Sequence, residues 1–185
     1  SDSHIYHEPT PLTELLLSAE IRGVVDTIVR YERARQRVYG TWTSSGEMEC
    51  EGGSSSSSGS RSLAQRAAIC TLAGPTGSGK RTLSRAIASE LDRSLKTIHA
   101  ADLIHGSDTG NALSRIQAVV NDARLADSVI AIDGFEHILA EGASGGEGAW
   151  KTDMLLGRLM SVIHPFPGCV LLICHMDTSN MSLQK

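Results

Sequence analysis

Gly74-Pro75-Thr76-Gly77-Ser78-Gly79-Lys80 lies between an apolar run, Ala67 to Ala73, and a segment, Leu83 to Leu91, in which Ala86, Ile87 and Ala88 follow a helical pattern. Strand, glycine-rich loop and helix in that order form a phosphate cradle, the P-loop. Glycines at 74, 77 and 79 let backbone amides turn inward around phosphate oxygens, Lys80 reaches the β and γ phosphates, and the helix N-terminus adds its positive end. The candidate nucleotide-binding residues are therefore Gly74, Pro75, Thr76, Gly77, Ser78, Gly79, Lys80, Arg81 and Thr82, with ATP or GTP as ligand. One position departs from the pattern. Where Ser or Thr ordinarily follows the lysine to hold Mg²⁺, the chain has Arg81, and Thr82 comes one residue later, about 100° further around a helix.

Working downstream, Thr97 to Ala100 reads as a second strand, and Asn111 to Ala126 as an amphipathic helix with Leu113, Ile116, Val119, Val120 and Ala123 at three- and four-residue steps. Ser128 to Ile132 reads as a buried strand ending at Asp133. A Gly-rich loop from Gly142 to Gly148 is expected next, then a helix from about Trp150 to Ile163 and a last strand from Cys169 to Cys174. Strands alternating with helices predict an α/β fold of the P-loop NTPase kind, a parallel sheet with helices on both faces. Asp133, delivered from the carboxyl end of an apolar strand, is the candidate magnesium and catalytic carboxylate, with Thr82 as the other metal candidate. Gly134 follows it, and Glu136, two residues on, is the nearest carboxylate able to serve as base, although a solvent-facing place in the first turn of a helix is the commoner fate of such a residue.

Upstream, Leu15, Leu16, Ala19, Ile21, Val24, Val25, Ile28 and Val29 recur at helical spacing, which predicts one or two helices between Leu12 and Val38. The stretch from Gly46 to Ser62 holds Gly52-Gly53, five consecutive serines and Gly59, a linker composition that supports no core. The expected organisation is an N-terminal helical segment over 1–45, a flexible Gly/Ser-rich insertion over 46–62 and a nucleotide-binding core over 63–185.

At 185 residues and a net charge of −4, the chain fits one domain, and its dispersed basic residues indicate no nucleic-acid footprint. Cys50, Cys70, Cys169 and Cys174 lack metal-type or paired spacing, so reduced thiols are expected rather than disulfides or zinc. No stretch reaches membrane-spanning length and no leader pattern opens the chain, so an intracellular, cytoplasmic protein is expected. The scattered histidines, His137, His164 and His175 among them, read as surface or satisfied residues.

The order of these features resembles the AAA+ ATPase family over roughly Leu12 to Asp177. The resemblance implies that Gly74 to Thr82 is the Walker A region, Val129 to Glu136 the Walker B region, and Cys169 to Asp177 the strand leading to sensor 1, with Asp177 as a catalytic candidate where the family usually has Asn. It also implies that the segment with Tyr39-Gly40-Thr41-Trp42 is placed against the adenine. Departures are visible. Gly134 stands where a catalytic glutamate is usual, Leu103-Ile104-His105-Gly106 offers only His105 where a pore-loop aromatic is usual, and the chain stops at Lys185, before the arginine fingers, the last core strand and the helical lid. The helical lid is therefore expected to be absent, as in a fragment or truncated core.

Three functions compete. The first is an ATPase that binds ATP and Mg²⁺ and drives remodelling of a protein partner within a homo- or hetero-oligomeric ring. The second is a hydrolysis-poor nucleotide-binding structural subunit of a hetero-oligomer, favoured by Arg81 and Gly134. The third, a P-loop kinase, ranks last, because the stretch from Glu141 to Gly148 is too Gly-rich and acidic to form an arginine-rich lid.

Overall fold

The computed structural model describes residues 11–44, 67–104, 109–143 and 147–176. The serine-rich segment over 46–62, Cys50, His105 and Asp177 lie outside the described residues.

Four parallel strands form one sheet: β1 (Ala68–Gly74), β2 (Leu95–His99), β3 (Val129–Asp133) and β4 (Cys169–His175), in spatial order β1-β4-β3-β2. Around it lie α1 (Ala19–Ser44), α2 (Lys80–Glu90), α3 (Ala101–Ile104), α4 (Thr109–Leu125), α5 (Phe135–Ala143) and α6 (Glu147–Ile163), with a short 3₁₀ turn at Leu12–Glu14. The central strands are apolar throughout because both of their faces are covered. On one face Ile130, Ile132, Val170 and Leu172 pack with Ile116 and Val120 of α4, Ile138 of α5, and Leu159 and Ile163 of α6. On the other, Val129, Ala131, Leu171 and Ile173 meet Val25 and Val29 of α1 and Ala86 and Ile87 of α2. Residues two apart thus share a face, the period of a strand. β1 sits at one edge of this sheet, with Ile69, Thr71 and Ala73 exposed on the face that α4 to α6 cover elsewhere.

Several sequence expectations are corrected. The Gly-rich loop expected from Gly142 to Gly148 is shorter, because α5 runs through Gly142 to Ala143 and α6 opens at Glu147. Burial of Phe135 and Ile138, one helical step apart, outweighs the roughly 1 kcal/mol that a helical glycine costs. β2 begins at Leu95 rather than Thr97, pulled into the ladder by its pairing with Val129. Leu103 and Ile104 are not loop residues but lie in α3, with Leu103 buried in the core. By contrast, Tyr39-Gly40-Thr41-Trp42 lies within α1, as the expected N-terminal helical segment allows.

Candidate phosphate-binding cleft

The carboxyl ends of β1, β3 and β4 converge on a cleft of about 600 Å³, into which the loop after β1 and the N-terminus of α2 project. Parallel sheets bind ligands at this end. Its lining includes Thr76 to Thr82 from the loop and α2, Asp133, Gly134 and Glu136 beyond β3, and His99, His137 and His175.

The loop takes its shape from its glycines. Gly77 and Gly79 hold φ of 78° and 81°, a left-handed conformation that side chains strain to adopt, and Gly79 caps α2 in that state. The first turn of α2 is regular, with the Leu83 amide donating to the Gly79 carbonyl at 2.8 Å. Lys80 curls back over the loop, its Nζ donating to the Gly74 carbonyl at 2.7 Å and the Pro75 carbonyl at 2.6 Å. Thr76 hydrogen-bonds across the mouth to His175, its hydroxyl 2.8 Å from Nε2.

Asp133 ends β3 with its side chain only 9 % exposed. Its Oδ2 is 2.6 Å from Nη2 of Arg81, whose own side chain is 71 % exposed, and 3.5 Å from Nδ1 of His99. The register that sets His99 opposite Asp133 in the β2–β3 ladder accounts for the second contact. Gly134 has a φ of 75°, donates its amide to the Ile173 carbonyl at 3.1 Å, and would bring a Cβ to 3.1 Å from the His137 ring.

Glu136 does not take the solvent-facing fate common for a first-turn glutamate. Its Oε2 accepts the backbone amide of His175 at 2.9 Å, and its Oε1 lies 3.7 Å from His137 Nε2, so the carboxylate turns inward and ties α5 to the end of β4. The structure therefore brings together Gly74 to Thr82, Asp133 and Glu136. His99, His137 and His175 also line the cleft, so His137 and His175 are not merely the surface or satisfied residues expected from sequence. The available signal is position: His175 directly follows the apolar run Cys169 to Cys174 in sequence, and in the structure it ends β4 and pairs with Gly74. His164 lies elsewhere, after α6, where its carbonyl accepts the Ala67 amide.

Among the described residues no helix is long and apolar enough to cross a membrane, no group of three or more potential metal ligands occurs, and Cys70, Cys169 and Cys174 are free thiols.

Comparison with known proteins agrees with this geometry. The chain is 33 % identical over 104 residues to the ESX-3 secretion system protein EccA3 of Mycobacterium leprae, and likewise to that of Mycobacterium tuberculosis. The match takes in 52 % of this chain and 16 % of each relative, so the chain spans about a sixth of the length of the curated relatives it matches. In fold it is similar to a structure described under "Structural Basis for Katanin Self-Assembly", with a TM-score of 0.53 at 19 % identity, covering 95 % of this chain and 51 % of that one. Residues 70–181, more than half of the sequence, match the ATPase family associated with various cellular activities. The chain belongs to that family, the AAA ATPases.

Proposed function

We propose that this chain is the ATP-binding core of a subunit that works in an oligomer, where bound nucleotide sets its conformation and hydrolysis is slow. Nucleotide binding is supported by the loop itself: Gly77 and Gly79 in left-handed conformations, Lys80 within reach of the same cavity, and the open N-terminus of α2. Slow turnover is supported by the two positions that would activate water. Gly134 carries no side chain, and Glu136 is held by the His175 amide rather than presented freely to the cleft. Lacking a well-placed general base costs about 10²- to 10⁴-fold in rate.

The residues present do not fit a magnesium ion held in the usual way. The residue after Lys80 offers a guanidinium in place of a hydroxyl oxygen, and the Asp133 carboxylate is engaged by that guanidinium. Mg²⁺ demands near-octahedral oxygen donors. The other proposed donor, Thr82, lines the cleft from the regular first turn of α2. In this reading Asp133 orients Arg81, Lys80 binds phosphate, and Glu136 couples the cleft to β4. A role in remodelling a protein partner, with Asp177 or a neighbouring subunit completing the site, is the second reading; it gains weight from the secretion-system protein that the chain resembles in sequence.

The test is pre-steady-state phosphate release from ATP-saturated protein. Typical enzymes turn over at roughly 10 s⁻¹, so the proposal expects saturable binding with release below about 0.1 s⁻¹ per subunit. Release at or above about 10 s⁻¹ by the isolated chain would refute slow turnover.

A further inference from the structure

Walker A loops carry one obligatory cation, and this cleft carries two. Arg81 follows Lys80 in the first turn of α2, lines the same cleft, and spans it to Asp133 at 2.6 Å. We propose that Arg81 takes the charge-neutralising place of a divalent metal, so that the site binds nucleoside triphosphate without one. This rests on the nucleotide-binding reading above and specifies the form of nucleotide bound.

The argument is one of charge and geometry. A largely buried carboxylate requires a partner, and Asp133 has found one in the guanidinium. A divalent ion drawn to Asp133 would have to displace Arg81 and leave that cation beside it, which is repulsive. Of the other titratable groups facing the site, the histidines supply no oxygen, His99 lying against the same Asp133 oxygen and His175 bonding Thr76, while Glu136 has one carboxylate oxygen on the His175 amide and the other 3.7 Å from His137. The guanidinium, by contrast, is suited to the task. It presents five N–H donors in a planar fork, and Asp133 engages one of its nitrogens, so this mostly exposed group has further donors to offer phosphate oxygens. Charge-assisted bonds of this kind are roughly twice as strong as neutral ones. With Lys80 the guanidinium sets two positive charges against the two negative ones of Asp133 and Glu136, so the attraction for metal-free triphosphate is local, coming from the Lys80 and Arg81 donors and the amides of the α2 N-terminus, with Glu136 tied to the His175 amide.

The experiment is a titration of the full chain with a fluorescent ATP analogue, once with Mg²⁺ and once with EDTA, on the wild type and on Arg81→Thr. Threonine at 81 supplies the hydroxyl and frees Asp133, so the variant should acquire a metal requirement. The expected wild-type Kd changes by less than about threefold between buffers, and that of Arg81→Thr weakens by about tenfold or more in EDTA. Wild-type binding that weakens about tenfold in EDTA overturns the proposal while leaving the nucleotide reading intact. So does an Arg81→Thr variant that binds as tightly as wild type in both buffers. Absence of wild-type binding in either buffer overturns both.

Discussion

Gly134 illustrates how one residue fixes both chemistry and backbone. In a left-handed conformation at φ 75°, hydrogen-bonded to Ile173, it turns the chain sharply from β3 into α5. The glutamate usual at this position is thus missing together with the backbone that would carry it, and a side chain there also meets the His137 ring. Gly134→Glu is therefore expected to leave phosphate release unchanged and to destabilise the fold by about 1–2 kcal/mol, measured by urea denaturation beside the release assay. A gain in release with no loss of stability would show that the backbone readily accepts the glutamate. The departures at Arg81 and Gly134 were legible in the sequence as letters. Their partners were not, because the contacts to Asp133 and Ile173 join residues 52 and 39 positions apart (133 − 81 and 173 − 134), and such pairs arise from sheet order rather than from local pattern.

Among the elements, β4 and α1 carry the clearest consequences. Cys169 opens β4 fully buried, and its thiol is pushed up to about 12, first by burial and second by the nearby charge of Glu32. An unfolded thiol ionises near pH 8.5. Below that pH the thiol is neutral in both states and adds no pH dependence; above it the unfolded chain loses a proton that the native chain keeps, so this group lowers stability as pH rises. At pH 8 Cys169 is expected to resist a thiol reagent in the native protein and to react in urea, with labelling read by peptide mass. Equal labelling in both would contradict its placement. Glu32 of α1 is buried as well, 2.9 Å from Arg35 and 3.4 Å from Arg93, and Arg93 continues to Asp127 at 3.0 Å. This cluster fastens α1 to the turns flanking β2 and β3. Glu32→Ala removes the buried carboxylate between two guanidinium groups, of which Arg93 keeps Asp127, and is expected to cost about 3 kcal/mol in urea unfolding; a loss under about 1 kcal/mol would show that α1 is held by its apolar face alone.

The helical period of α1, α2 and α4 and the apolar runs of β3 and β4 were readable because burial on one or two faces leaves a period in the sequence. Strand ends and the short helix α3 were not, since pairing with a neighbour decides where β2 starts and packing of Leu103 decides that α3 forms. In the same way, the end of α5 was hidden by Gly142, which reads as the start of a loop until the helix is seen to continue to Ala143.

For the whole molecule, the sheet order places the carboxyl ends of β1, β4 and β3 side by side, so the loop, Asp133 and Glu136 meet although they come from separate parts of the chain. A ligand seated there bridges elements from both faces of the sheet and should stabilise the entire fold by mass action, about 2.7 kcal/mol at a concentration 100 times Kd. The most direct measurement is calorimetric titration of ATP into the wild-type chain and into Lys80→Ala. Saturable binding by the wild type, weakened about tenfold or more in the variant, is the predicted result; heats that show no wild-type binding, or equal binding by both proteins, would contradict the assignment of this cleft to nucleotide.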